Sequence, residues 1–180
     1  MELKSLIEEH GEKLKKIKVC AFDVDGVLTD GRIWWDGEEV GWNRYSHSSD
    51  GYGLKLLQSF GFKVGVITGG NSLGVTKRYK ENLGLDFVFK GKEDKRDAFK
   101  ELMNQGHKAD EILYMGDELF DIPLLKKAGF CATVPGAPLR VKSVVDYVTT
   151  TPGGNGAVRE VVDLICEANG LVVEIPDFED

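Results

Sequence analysis

Short apolar runs alternate with stretches of helical period along most of this chain. Six runs are too short for helices and read as strands: Val19–Asp23, Lys63–Ile67, Phe87–Phe89, Ile112–Met115, Cys131–Val134 and Tyr147–Val148. Between them, apolar residues recur at helical spacing. Leu54, Leu57 and Phe60 share one face, Val75, Tyr79 and Leu83 another, and Phe99, Leu102 and Met103 a third. Gly61, Gly84, Gly106, Gly129 and Gly170 each follow a helical stretch, where a left-handed cap is expected. This alternation predicts an α/β fold of three layers, Rossmann-like, with a mostly parallel sheet and helices on both faces. No internal repeat or linker divides the 180 residues, so residues 1–180 read as a single domain.

One segment breaks the alternation. Arg32 to Trp42 carries Asp36-Gly37 between two strand-like runs, the signature of a tight hairpin with positive φ at its turn. The hairpin is expected over about residues 32–45, protruding from the sheet. All three tryptophans, Trp34, Trp35 and Trp42, lie in it. A lone two-stranded ribbon does not bury large rings on both faces. The expectation is therefore that the hairpin meets another subunit.

Composition narrows the functional classes. Hydrophobic residues make up 42% and charged residues 29%, as in a globular protein, and the net charge of −7 argues against a dedicated nucleic-acid binder. No stretch is long and apolar enough for a membrane span, and Met1 to Lys18 is too charged for a secretory signal. Cys20, Cys131 and Cys166 are odd in number, far apart and set in apolar stretches. They read as buried free thiols of a cytoplasmic protein. The acidic end, about residues 171–180, reads as solvated tail.

Candidate chemistry gathers at the strand ends. Phe22-Asp23-Val24-Asp25-Gly26-Val27-Leu28-Thr29 follows the first strand and brings two carboxylates to its carboxyl edge. Open α/β sheets bind ligands at that edge. One acid there can act as nucleophile and metal ligand while the other moves a proton. A plain turn is the bland alternative; a calcium loop fails because Val27 and Leu28 fill its later ligand positions. Thr68-Gly69-Gly70 follows the second strand with a hydroxyl and amides suited to phosphate oxygens. Lys95 opens a helix behind Asp94, a candidate N-cap. Gly116-Asp117-Glu118 and Asp121 follow the fourth strand, with Asp117 and Asp121 one helical turn apart. Each segment alone is what turns and caps attract anyway. Together, an acid pair, a hydroxyl, a lysine and an acid cluster suit magnesium bridging carboxylates and a phosphate.

This ordered set resembles the haloacid dehalogenase superfamily of phosphohydrolases, over Val19 to about Glu167. Asp50-Gly-Tyr-Gly-Leu54, Asp121-Ile-Pro123 and Gly153 to Glu160 further resemble the phosphatases of 3-deoxy-D-manno-octulosonate 8-phosphate in that superfamily. The resemblance implies a magnesium-dependent, capless enzyme that releases phosphate from a sugar acid during lipopolysaccharide precursor synthesis. It also implies a homotetramer built on the hairpin. By the same resemblance, Asp23 is the nucleophile and Asp25 the acid and base. Thr68 and Lys95 are further catalytic residues that hold the phosphoryl oxygens. Asp23, the Asp25 carbonyl and Asp117 hold the metal, supported by Asp121 and Glu118. Gly69, Asp50 and Arg159 join Thr68 and Lys95 in binding substrate. The short gaps from Asp25 to Thr68 and from Thr68 to Lys95 leave no room for a cap domain. The chain departs from the family in carrying Gly70 and Asn155 where arginine is frequent. That leaves open a related nonulosonate 9-phosphate. A receiver-like phosphoacceptor module is the other alternative, but no aspartate ends the second strand.

Overall fold

The computed structural model describes residues 3–175, 177 and 178. Parts of the expected acidic tail (Pro176, Glu179 and Asp180) lie outside the described residues. Six strands form one parallel sheet: β1 (Val19–Phe22), β4 (Lys63–Thr68), β5 (Phe87–Lys90), β6 (Ile112–Met115), β7 (Phe130–Thr133) and β8 (Tyr147–Val148). Their order is β5-β4-β1-β6-β7-β8. β1 is central, pairing in parallel with β4 on one side and β6 on the other. The chain winds outward from β1 in both directions, so a switch point lies at the carboxyl end of β1, where the acid pair emerges. β1, β6 and β7 are buried along their whole length, as parallel strands covered on both faces must be.

The helices are α1 (Leu3–Leu14), α2 (Gly37–Val40), α3 (Ser48–Ser59), α4 (Leu73–Val75, widening into a π-helical Thr76–Asn82), α5 (Arg96–Asn104), α6 (Ile122–Leu125), α7 (Leu139–Lys142) and α8 (Ala157–Asn169). α8 packs between α1 and α3. It buries Val158, Val161, Val162 and Ile165 without exposure. α1 was not evident as an element, because its apolar stripe of Leu6 and Leu14 is thin among charges. His10 completes that stripe and is buried with its ring edge-on to Phe130 at 5.6 Å. Four of the five expected cap glycines have positive φ, and Gly129 does not. Its place is set by contact instead, since a Cβ there would lie 2.2 Å from the Asp110 carbonyl.

The hairpin forms, with a different turn. β2 (Trp34–Trp35) and β3 (Trp42–Asn43) pair antiparallel, but α2 connects them in place of a two-residue turn. Gly37 has the positive φ expected of it, and Glu38 and Glu39 continue into a helical turn. Trp35 and Trp42 pack edge to face at 5.5 Å, and Trp34 stacks on Tyr45 at 4.4 Å. Even so, Ile33, Trp35, Trp42 and Tyr45 remain half exposed or more.

Candidate active site

Asp23 stands immediately after β1, its N–H donating to the Met115 carbonyl of β6 at 2.8 Å. Its side chain is 2% exposed. Oδ1 accepts from the Val24 N–H at 2.7 Å, and Oδ2 takes the Lys95 ammonium at 2.7 Å. Burial pushes the Asp23 pKa well above its ordinary value; Lys95 opposes that and Asp121 adds to it. Lys95, just ahead of α5, has a fully buried side chain that also contacts Asp121 Oδ1 at 2.7 Å and lies 4.7 Å from the Phe120 ring centroid. A buried ammonium needs paired carboxylates of this kind to stay charged.

Asp121 organises the other side. It ends a short 3-10 turn, Leu119–Asp121, rather than sitting one α-helical turn after Asp117. Oδ1 accepts from Lys95 and from the Tyr114 hydroxyl at 2.6 Å, while Oδ2 accepts from the Asp117 and Glu118 N–H groups at 3.1 and 3.0 Å. Its hydrogen-bonding capacity is therefore used. Glu118 is exposed and caps the turn through Leu119 N–H at 2.7 Å.

Asp117 is different. Oδ1 is buried with no hydrogen-bond partner. Burial, then the Asp121 charge, raises its pKa to about 7. Asp23, Asp117 and Asp121 bring carboxylate oxygens within 4.8 Å of one another. An unpartnered oxygen facing other hard oxygen donors fits a divalent cation such as magnesium. Gly26 makes the approach possible: its φ is +88°, and a Cβ would lie 2.1 Å from Asp117 Oδ2.

Thr68 ends β4 with its hydroxyl accepting from Gly70 N–H at 3.1 Å. The Thr68 hydroxyl and Asp25 Oδ2 both lie within 3.4 Å of the point a Cβ on Gly70 would occupy, so strand end and acid pair converge. Gly69 follows in the same loop, near Glu93. The structure thus brings Asp23, Asp25, Thr68, Lys95, Asp117 and Asp121 to one sheet edge. Asp50 and Arg159 have hydrogen-bond partners of their own. Asp50 is buried, and its oxygens accept from the N–H groups of Gly156 and Arg159 at 3.2 and 2.8 Å, capping α8. The Arg159 guanidinium pairs with Asp163 at 2.7 Å and lies 5.5 Å from the Tyr52 ring.

Two side chains at the site were not singled out from the sequence. Tyr114 lies inside an apolar strand; a hydroxyl buried in such a run needs a partner, which is the signal that marks it. Arg44 follows β3 and forks onto Asp25 through Nε–Oδ1 at 2.5 Å and Nη2–Oδ2 at 3.0 Å. No local pattern links it to an acid nineteen residues earlier.

Residues 73–161 match the family model described as haloacid dehalogenase-like hydrolase. The 3-deoxy-D-manno-octulosonate 8-phosphate phosphatase of Haemophilus influenzae is 40% identical over 88% of this chain and 88% of that protein. Its Escherichia coli counterpart is 36% identical over 90% and 86%. Among solved structures, the phosphatase of the same name from Moraxella catarrhalis, in complex with magnesium, phosphate and KDO, aligns with a TM-score of 0.85. That match has 38% identity and covers 91% of this chain and 93% of the other. The cobalt-bound Haemophilus influenzae enzyme aligns with a TM-score of 0.81 at 40% identity, covering 88% and 92%.

Proposed function

Because this chain belongs to the haloacid dehalogenase-like hydrolases, in the group of 3-deoxy-D-manno-octulosonate 8-phosphate phosphatases, we propose that it hydrolyses that sugar-acid phosphate with magnesium. The products are the free sugar acid and phosphate, in lipopolysaccharide precursor synthesis. The observation that carries this reading is Asp117, with its unpartnered buried oxygen, beside an Asp23 neutralised by Lys95.

Asp23, the Asp25 carbonyl and Asp117 would hold magnesium. When bound, the ion screens the charge between Asp23 and the phosphate and stabilises charge on the phosphoryl oxygens. Asp23 attacks phosphorus and the bond to the sugar oxygen breaks. Asp25 gives its proton to that oxygen, so the alcohol leaves neutral. Asp25 then takes a proton from the water that attacks the aspartyl phosphate, releasing phosphate and restoring Asp23. Thr68 and Gly69 receive phosphoryl oxygens at the end of β4, and Lys95 balances charge beside the nucleophile. Asp121 fixes Lys95 and, with Glu118, the backbone that carries Asp117. Arg159 is the cation that α8 offers to the sugar carboxylate, and Asp50 acts by holding the start of that helix.

We further infer that the whole chain works as one capless domain and as a homotetramer in the cytoplasm. The half-exposed aromatic hairpin supports assembly, and three free, buried cysteines fit a reducing compartment. Among the described residues no helix is long and apolar enough to cross a membrane. Phosphate release with magnesium, measured on 3-deoxy-D-manno-octulosonate 8-phosphate and on a nonulosonate 9-phosphate, tests the function. Preference for the eight-carbon substrate is expected, and preference for the nine-carbon one overturns the substrate assignment.

A further inference from the structure

Arg44 touches the catalytic acid pair, yet the reaction as written does not use it. Its side chain is only 8% exposed, against 35% for Asp25. Behind the fork onto Asp25, Nη1 donates to Ser72 Oγ at 2.9 Å and to the Trp42 carbonyl at 3.2 Å. The guanidinium therefore has a seat that does not depend on Asp25. Asp25 has no comparable seat. Its backbone is non-helical, at φ −76° and ψ 118°, and it precedes Gly26 at φ 88°. Among the described residues, Arg44 is the only side chain hydrogen-bonded to its carboxylate. A planar guanidinium gripping both oxygens fixes the plane of a carboxylate, which an ammonium does not.

Gly70 explains how the guanidinium reaches this position. A Cβ there would lie 3.0 Å from Arg44 Nη2 and 3.3 Å from Asp25 Oδ2. A side chain at position 70 would press on both halves of the pair. A groove of about 480 Å³ opens beside it, lined by Ile33, Trp42, Arg44, Gly70, Asn71 and Ser72.

We propose that Arg44 is a positioning residue, supplied by the hairpin, that holds Asp25 in the orientation from which it protonates the departing sugar oxygen. This rests on the phosphatase reading above. The fork also complements the carboxylate that remains once the proton has left. Hairpin placement and proton delivery are thereby linked.

The leaving group separates this role from a structural one. A sugar alkoxide needs a proton to depart, whereas 4-nitrophenyl phosphate releases a stable phenolate. Arg44→Gln, Arg44→Lys and Gly70→Ala are compared with the parent protein on both substrates with magnesium, alongside thermal unfolding. For Arg44→Gln, kcat on the sugar-acid phosphate should fall about 100-fold or more, the scale of general-acid catalysis. The loss on 4-nitrophenyl phosphate should be at least about tenfold smaller, with the sugar-acid KM little changed, since only proton delivery is impaired. Arg44→Lys should regain little, because it cannot fork. Gly70→Ala should show the same selective loss, and it carries the test if Arg44→Gln does not fold. Equal losses on both substrates would overturn the proposal. So would a raised KM for the sugar acid at unchanged kcat, which would make Arg44 a substrate contact. A parent protein that released phosphate from neither substrate would instead refute the phosphatase reading, and this proposal with it.

Discussion

Replacing Asp121 by asparagine removes one negative charge and keeps the volume. The residue is fully buried and accepts four hydrogen bonds, from Lys95, Tyr114, Asp117 and Glu118. Deleting one partner of a buried ion pair costs about 3–5 kcal/mol, because the other charge stays buried. Two features reduce the cost here. Lys95 keeps Asp23 at 2.7 Å. The lost charge also pushes up the pKa of both Asp23 and Asp117, so its removal relieves repulsion. Roughly 2–4 kcal/mol of destabilisation remains, or about 5–15 °C in Tm for a chain of this size. Urea unfolding without magnesium, read by tryptophan fluorescence, measures it. Magnesium affinity should weaken by about 10–100-fold, the effect of losing a group that orients a ligand, rather than vanish. A variant within about 0.5 kcal/mol of the parent would refute the reasoning, since surface substitutions do no more than that. Complete loss of magnesium binding would make Asp121 a direct ligand.

Other perturbations have equally definite outcomes. Asp117 has a folded pKa near 7, raised from its ordinary value chiefly by burial. Its ionised form is therefore disfavoured by folding. The magnesium-free protein should lose stability as pH rises from about 4 through 7, and saturating magnesium should abolish that loss; Tm against pH with and without the ion checks both. Gly26→Ala would drive a Cβ to 2.1 Å from Asp117 Oδ2 at a φ of +88°. It should cost about 2 kcal/mol or more and sharply weaken magnesium binding, read by denaturation and calorimetry. Trp35→Ser with Trp42→Ser should shift sedimentation toward the monomer without unfolding the sheet, as these rings are half exposed; an unchanged profile would remove the hairpin from the interface.

The legible parts of the molecule were those set by local spacing. Six strands, and the order in which acids, hydroxyl and lysine follow them, can be read from period and position, because parallel strands covered on both faces are largely apolar and the polar groups of the site cluster at their carboxyl ends. What was not legible depended on contacts far apart in sequence. Asp36-Gly37 has the chemistry of a tight turn, but two glutamates after it favour a helical turn. Gly129 resembles a cap and is instead a point of close approach to Asp110. Asp50 and Arg159 lie in segments that resemble the family's; that Asp50 holds the start of α8 and Arg159 pairs with Asp163 along it was set by contacts the sequence does not show. Arg44 was invisible because its partner is nineteen residues away and its access depends on the absence of a side chain at position 70.

The central claim is that Asp23 becomes phosphorylated in turnover. Acid-quenching the enzyme with substrate and magnesium, then mapping peptides by mass spectrometry, tests it directly. The account predicts one phosphoryl group on the peptide that holds Asp23, absent from Asp23→Asn, which should also release no phosphate. Phosphate on another residue, or sustained turnover by Asp23→Asn, would contradict it.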